Sequence, residues 1–317
     1  MRTLLFSLAT LFSFSACNED KFLKELEVDL PDVDSQLAVT ATMSDADEEL
    51  RVFVGRTATT LAPADADAPV ENAIIRLTRD GQSLGDFTFA DPDTPDEEGR
   101  SGFYRLPNTD GLLVTDATYE LEVTAPGFEP TMGTQTLPDT GRIVSIAIEP
   151  EGFIDTDGER LDELTLRIDD IKGVRNYYRL DISVQYVETF ENQQGEMDTF
   201  RYVQNIYPVT NDPTIEEGWI SGLYFTDSAF EDREVIIRLG VFRPRFFGGT
   251  QTTIDGFRVE LNNLTQDFYN YERSRDAYQQ ARDNPFAEPV TIVGNLDGGP
   301  GIFGLSGQTS RLIPLPE

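Results

Sequence analysis

This 317-residue chain contains few kinds of side chain that can act in catalysis or bind a metal. The sequence contains one cysteine, Cys17, and no histidine. Ser-His-Asp and Cys-His catalysis and imidazole zinc sites are therefore excluded. Carboxylate, tyrosine, hydroxyl and Arg/Lys chemistry remains, and no local arrangement of these groups favours one catalytic pair. We predict no catalytic residue, no metal site and no enzymatic activity.

The single cysteine follows a segment that is typical of a secretory signal peptide. Arg2 supplies a basic start, and residues 4–14 form an apolar run that is too short to span a membrane. The alternatives for Cys17 are an incidental cysteine behind an ordinary cleaved signal, or a buried thiol in the core. The sequence therefore predicts export across a membrane.

Small side chains at Ser15 and Ala16, directly before Cys17, resemble the lipobox of bacterial lipoproteins. In that motif the cysteine receives a diacylglycerol and becomes the mature N-terminus. Phe14 stands where leucine is commonest in the motif. The resemblance implies that residues 1–16 are removed and that the only cofactor-like group is a covalent lipid on Cys17.

Asn18, Glu19 and Asp20 follow the cysteine and resemble the surface-export signal of Bacteroidota outer-membrane lipoproteins. Each buried acyl methylene contributes about 0.8 kcal/mol to membrane attachment, so two or more chains anchor a protein stably. The resemblance implies a protein that is attached to the outer membrane by lipid, does not span it, and faces the cell exterior.

The charge of the chain restricts its partners. Lys and Arg number 25 against 57 Asp and Glu, which gives a formal net charge of −32. Such a chain is repelled by phosphate backbones, so nucleic acid is excluded as a partner. The acidity favours solubility in a salty habitat over an acidic docking face.

Carboxylates concentrate in loops at residues 64–68, 91–99 and 155–159. Calcium needs six to eight oxygen ligands, but Gly158 comes too early for the twelve-residue calcium loop, and the proline-broken 91–99 loop has no recognised ligand spacing. We interpret these segments as solvated acidic loops, with bound calcium as the alternative.

The elements that must carry these residues are almost all strands. Short segments rich in Val, Ile, Phe and Thr are separated by Gly, Pro, Asp and Asn, which is typical of an antiparallel sandwich. Asp80-Gly81 between two such segments predicts a tight turn. The first strands are predicted at residues 37–43, 50–55, 73–78, 83–89, 101–106, 119–124 and 131–137.

A second β-rich block begins after residues 138–150. Its longest strand pattern, at 177–190, places Tyr178, Leu180, Ile182, Val184 and Tyr186 on one face and is predicted to form a hairpin with 200–209. Further strands are predicted at 143–148, 164–168, 234–242 and 252–261. The one predicted helix, 263–282, carries a stripe that should pack on the second sheet, formed by Leu264, Phe268, Tyr271, Arg275 and Tyr278.

The sequence thus predicts a mainly β chain with two sandwich-like domains. Residues 17–35 form a lipidated tether, or an edge strand at 26–30. Residues 36–140 form the first domain, which resembles Ig-like or transthyretin-like modules of surface proteins. Residues 141–317 form the second domain, which includes the helix.

The C-terminal stretch carries a family resemblance. Residues 269–278 (YNYERSRDAY), 284–290 (NPFAEPV), 294–296 (GNL) and 298–304 (GGPGIFG) resemble the ending of a Bacteroidota lipoprotein family described as a domain of unknown function. The resemblance extends over the mature chain from residue 37, with Pro300 where an aromatic or aliphatic residue is expected. It implies an N-terminal Ig-like module, a β-rich second domain, and genes often found beside SusC-like TonB-dependent receptors.

The glycines at 298–301 do not predict a phosphate-binding loop. The segment lacks the following Lys-Ser/Thr and a helix N-terminus. We predict instead a tight connection that lets backbone pass close beneath the helix, with Ile302 and Phe303 in the core.

Four aromatic residues are candidates for contact with a ligand or partner if they are exposed: Trp219, Tyr224, Phe246 and Phe247. Aromatic rings stack on sugars and anchor protein interfaces, although the commoner role is core packing. The favoured function is an accessory subunit of a TonB-dependent receptor or a similar β-barrel, assisting nutrient uptake. The alternatives are a structural subunit of an envelope secretion or assembly complex, and a carboxylate-based glycoside hydrolase.

Overall fold

The structure is a computed structural model that describes residues 34–58, 69–91, 102–109, 111–191, 196–218, 222–230, 233–242, 251–282, 284 and 286–314. These parts of the chain are mainly β, as predicted, and contain one α-helix, α1 (Gln266–Arg282). No helix within them is long and apolar enough to cross a membrane. The signal peptide, Cys17 and the tether up to residue 33 lie outside the described residues.

The strands follow one another with short connections. In chain order they are β1 (Leu37–Ser44), β2 (Glu49–Arg56), β3 (Ile74–Arg79), β4 (Gln82–Asp86), β5 (Thr88–Phe89), β6 (Tyr104–Pro107), β7 (Thr118–Thr124), β8 (Thr131–Thr136), β9 (Arg142–Ile154), β10 (Arg160–Asp169), β11 (Tyr177–Glu191), β12 (Met197–Ile206), β13 (Glu216–Glu217), β14 (Leu223–Thr226), β15 (Glu234–Val241), β16 (Gln251–Leu264) and β17 (Gly301–Ile313).

The first core lies between two sheets. The four-stranded sheet β4-β3-β7-β8 packs against β1, β2 and β6, and alternate residues such as Val39, Val52 and Leu121 are buried between them. Asp80 and Gly81 both have positive φ, 49° and 79°, and connect β3 to β4. Glycine adopts this conformation without steric cost, so the predicted tight turn is confirmed.

The second core lies between the three-stranded sheet β15-β10-β9 and strands β11, β14 and β16. The predicted inward face of β11 is confirmed, since all five of its residues are buried: Tyr178, Leu180, Ile182, Val184 and Tyr186. The predicted hairpin is also present, because β11 pairs with β12 in antiparallel register from Ile182 opposite Ile206 to Glu191 opposite Met197.

A single ten-stranded sheet joins the two cores through β17. This strand pairs in parallel with β1, from Val39 opposite Gly301 to Ser44 opposite Ser306, and antiparallel with β16 on its other side. We predicted that all residues after 140 belong to the second domain. Phe303 and Leu305 of β17 instead are buried and pack in the first core.

The helix begins three residues later than predicted. Asn263 and Leu264 stay in β16 because Gly307 and Ser306 of β17 pair with them. Only one member of the predicted aromatic stripe, Phe268, belongs to the buried face of α1, which otherwise consists of Glu272 and Asp276. Tyr278 is exposed. The stripe prediction is confirmed in part, because Leu264 and Phe268 are buried in a cluster against which Tyr271 packs. Glu272 is buried beside them because Tyr224 and Arg179 of the sheet supply polar partners.

The glycine-rich segment allows close backbone approach, but not to the helix. A Cβ at Gly299 would lie 2.1 Å from the carbonyl oxygen of Leu37, and one at Gly298 would lie 2.1 Å from that of Pro130. The glycine that lies under α1 is Gly304, where a Cβ would be 2.6 Å from the Phe268 ring. Ile302 is buried, like Phe303, as predicted.

Candidate interaction surface

Strands β11, β12 and β16 form a ribbon that extends past the strands beside it. β17 ends at Ile313, opposite Phe257 of β16, whereas β11 and β16 stay paired as far as Thr189 opposite Gln251. β12 pairs with β11 over the same length, without a register shift. We call residues 182–191, 197–206 and 251–257 the ribbon.

One side of the ribbon carries an aromatic stack that leads from the core into solvent. Tyr186 is buried in the second core, and its ring lies 4.9 Å from that of Tyr202, which in turn lies 5.8 Å from Phe200. Phe200 is 56% exposed, and Phe190, at the tip, is 43% exposed. These four residues share a side because alternate residues of a strand point the same way. We call them the aromatic face.

The opposite side of the ribbon is also apolar in part. Met197 and Val203 are both exposed there, with Thr199 and Arg201 between them. Burial raises the pKa of Tyr186, and the neighbouring Tyr202 adds to this shift, so the inner end of the stack is uncharged at neutral pH. A ribbon with apolar side chains on both sides offers more surface to another macromolecule than to a small ligand.

The ribbon tip and Leu37, where β1 begins, lie at opposite ends of the ten-stranded sheet along the strand direction. β1, β17 and β11 run in the same direction. A row of paired residues crosses the sheet from β1 to β11: Ser44, Ser306, Leu264 and Tyr177. Leu37 is seven residues before Ser44 on β1, and the tip is fourteen residues after Tyr177 on β11. At about 3.3 Å per residue, the distance along the strands from Leu37 to the tip is roughly 70 Å. The tip therefore points away from the end at which the chain enters the fold.

Tyr224, a candidate from the sequence, is not an exposed aromatic residue. It is 1% exposed beneath α1, and its hydroxyl donates a hydrogen bond to Glu272 Oε2 at 3.0 Å. Desolvation, followed by the negative charge of Glu272, raises the pKa of Tyr224 above its ordinary value. The Arg273 guanidinium lies 5.3 Å from the ring centre. Tyr224 is a core residue, and a ligand has no access to it.

The other sequence candidates lie outside the described residues. These are Cys17, Asn18, Glu19, Asp20, Trp219, Phe246 and Phe247. Their predicted roles in lipidation, surface export and ligand or partner contact remain predictions.

A buried charged cluster attaches α1 to the sheet. Glu272 Oε2 accepts a hydrogen bond from Arg275 at 2.9 Å and lies 3.8 Å from Nη1 of Arg179, besides its bond from Tyr224. Arg179 also donates to Asp181 at 2.8 Å. Burial alone would lower the pKa of Arg179, but Asp181 and the other acidic neighbours raise it. Since Glu272 is surrounded by donors, we assign this cluster to positioning α1.

Glu260 stands opposite Asp181 in the paired strands, so two carboxylates face each other. Desolvation, followed by the charge of Asp181, raises the pKa of Glu260. The folded state therefore binds the Glu260 proton more tightly than the unfolded state, and wild-type stability falls as the pH rises through the range between the two pKa values.

We expect the Glu260→Gln variant to melt about 1–3 °C above wild type at pH 7, because a like-charge pair across strands is removed. The advantage should disappear below the pKa of glutamate in the unfolded chain, where both proteins carry a neutral side chain. Melting curves at several pH values measure this. Glu234→Gln, which breaks the ion pair with Arg167, is the matched control and should not raise the melting temperature.

A polar cavity of about 680 Å³ lies on the outer side of β1 and β2. Asp47, Glu49 and Arg51 line it, together with threonines of β1 and Phe103. Glu49 pairs with Arg51 at 3.1 Å, and burial raises the pKa of Asp47, whose carboxylate accepts the Ser44 N–H. The charged side chains of the cavity wall thus contact neighbouring protein groups, and these contacts do not indicate a particular ligand.

The described residues contain no group of three Asp, Glu, His or Cys that could hold a metal ion. In the predicted acidic loop at 155–159, Asp155 Oδ1 accepts the N–H groups of Asp157 and Glu159 at 2.9 and 2.8 Å. The Asp155 carboxylate therefore stabilises the turn that begins at Asp155 by accepting its backbone N–H groups. The loop at 64–68 and residues 92–99 lie outside the described residues.

Phe190, Phe200 and Tyr202 are not among the aromatic residues singled out from the sequence. One signal could have found Phe190, because it continues the even-numbered face of β11 four residues beyond Tyr186. What the sequence does not reveal is where the covering sheet ends, and this decides whether such a residue is core or surface.

A family model for a domain of unknown function, DUF4249, matches residues 24–311. The chain belongs to this family. The DUF4249 match begins within the predicted tether and ends inside β17, so it covers both cores and the ribbon. No curated protein matches the sequence. The DUF4249 description gives no function.

Proposed function

We propose that this DUF4249 protein is a non-enzymatic lipoprotein on the outer face of the outer membrane and an accessory subunit of a TonB-dependent receptor or similar β-barrel. In this role it assists the capture or uptake of a nutrient. The lipobox-like segment before Cys17 and the acidic residues after it support the location, as does the resemblance to Bacteroidota lipoproteins.

The observation that carries the proposal is the exposed outer end of the aromatic face, near the ribbon tip. Phe190 and Phe200 hold bulky apolar surface in solvent on a regular strand scaffold, which is typical of a protein contact. An anchor at the N-terminal end leaves the ribbon tip free to reach a neighbour. The two apolar sides of the ribbon favour a protein partner over a small nutrient as the direct ligand.

We expect the full-length tagged protein, expressed at native level, to co-purify with a β-barrel protein from solubilised outer membranes. The Phe190→Ser/Phe200→Ser double variant should recover at least tenfold less of that barrel, because aromatic anchors carry most of the energy of an interface. Mass spectrometry identifies and quantifies the barrel.

The matched control is Val144→Ser/Ile236→Ser, which removes two exposed apolar side chains from the sheet of the second core outside the ribbon. Its recovery of the barrel should equal that of wild type. Purification of wild type as a monomer without a partner would contradict the proposal. Deletion of the gene separates it from the structural alternative: loss of growth on one nutrient supports uptake, whereas envelope defects on every medium support an assembly role.

A further inference from the structure

β12 is an edge strand of unusual regularity. It is ten residues long, and among the described strands it pairs only with β11. Its register with β11 runs over ten residue pairs without a bulge. One row of its backbone N–H and C=O groups therefore faces away from the sheet without a partner strand in the described part of the chain.

The other edges of these sheets are shorter or less regular. β5 and β13 have two residues each, and the pairing of β9 with β10 contains two register shifts. Proteins commonly protect a long edge with charged side chains, especially lysine, with proline or with a bulge. β12 has no lysine, proline or bulge, and beside its charged residues Asp198 and Arg201 it carries the exposed apolar residues Met197, Phe200 and Val203. This edge is suited to pairing with a further strand.

The predicted tether is too short to account for the open edge. Residues 18–33 span about 55 Å when fully extended, whereas the ribbon tip lies roughly 70 Å along the strands from Leu37, where β1 begins.

A second copy of the chain is disfavoured by charge. Each copy has a formal net charge of −32, and the contact would bring two such molecules together edge to edge. Like charges oppose association and favour a partner of different charge. Charge therefore favours an extended segment of a different protein over a second copy.

We propose that β12 binds its partner by strand addition, in which an extended segment of another protein pairs with the free edge. The inference rests on the proposed function, because it specifies how the partner is held. The backbone supplies hydrogen bonds, and the aromatic face receives alternate apolar side chains of the incoming strand. The partner segment has apolar residues at every second position.

The test compares proline with alanine at two exposed polar positions of β12, Arg201 and Gln204. One of the two is an odd-numbered and the other an even-numbered residue. Successive N–H groups of a strand point to opposite edges, so the N–H group of one residue points to β11 and that of the other points outward. Proline removes the N–H group, whereas alanine keeps it. The full-length variants are used to recover the barrel protein from solubilised outer membranes, and their melting temperatures are measured.

At the position whose N–H points outward, proline should lower recovery at least tenfold relative to alanine, with a melting temperature close to that of alanine. Hydrogen exchange on the wild-type complex supplies a second measurement: every second amide of β12 should gain protection relative to the free chain.

Equal recovery by proline and alanine at both positions, or unchanged exchange in β12, would overturn strand addition. The proposed function would survive that result, because wild type would still recover the barrel. If wild type recovers no barrel protein, the proposed function and this inference are both wrong.

Discussion

The Gly301→Ala variant is expected to yield little or no folded protein. A Cβ at this position would lie 1.8 Å from the carbonyl oxygen of Val39, and the φ angle of Gly301 is +137°. Gly301 is the first residue of β17 to pair with β1, so the clash falls where the strand that joins the two cores begins. The backbone of β1 must move away, and the Val39 N–H to Pro300 C=O bond is lost with it.

We expect this variant to lose more than about 4 kcal/mol of unfolding free energy, a range reached only through core disruption or severe strain. Yield of soluble protein and urea denaturation measure the loss. The matched control is Gly127→Ala, because Gly127 has a φ of +86° but open space around its missing Cβ. It should lose about 1–2 kcal/mol from backbone strain alone. Equal losses in the two variants would contradict the steric explanation.

The second large effect is expected for Glu272→Leu beneath α1. Glu272 is 4% exposed and accepts hydrogen bonds from Tyr224 and Arg275, with Arg179 close by. Leucine fills the space but leaves these donors without their acceptor. Breaking a buried pair by removing one partner costs about 3–5 kcal/mol, and we expect the lower end because Arg179 and Arg275 are partly exposed.

Glu272→Gln and Tyr224→Phe divide this loss into its parts. Glutamine keeps an oxygen for the Tyr224 hydroxyl and removes only the charge, whereas phenylalanine removes only the hydroxyl, at a cost of about 1 kcal/mol. Denaturation midpoints of the three variants and wild type measure the series. A midpoint for Glu272→Leu equal to that of wild type would show that the cluster does not hold α1 on the sheet.

The strands and their faces were predictable because both depend on local patterns. A strand alternates its side chains with a period of two, so the buried row from Tyr178 to Tyr186 can be identified from residue types alone. The Asp80-Gly81 turn was predictable for a similar reason, since it needs two residues that tolerate positive φ.

The helix shows where local patterns fail. Its end at Arg282 agrees with the prediction, although it begins three residues later, and its buried face carries Glu272 and Asp276 beside Phe268. Hydrophobic periodicity identifies a buried face by apolar residues. It misses Glu272, which is buried because Arg179 and Tyr224, about 50 to 90 residues away in sequence, supply its partners.

By itself, the sequence determined the mainly β class, the positions of most strands, the exclusion of histidine and cysteine chemistry, and the prediction of a lipid anchor at Cys17. These depend on composition or on neighbours within a few residues. Tertiary structure alone decided that β17 returns to pair with β1, that Tyr224 is buried, and that Phe190 and Phe200 are exposed. Each of these depends on contacts between distant segments. Alternation along a strand tells which face of the sheet a side chain is on, but not whether another sheet covers that face.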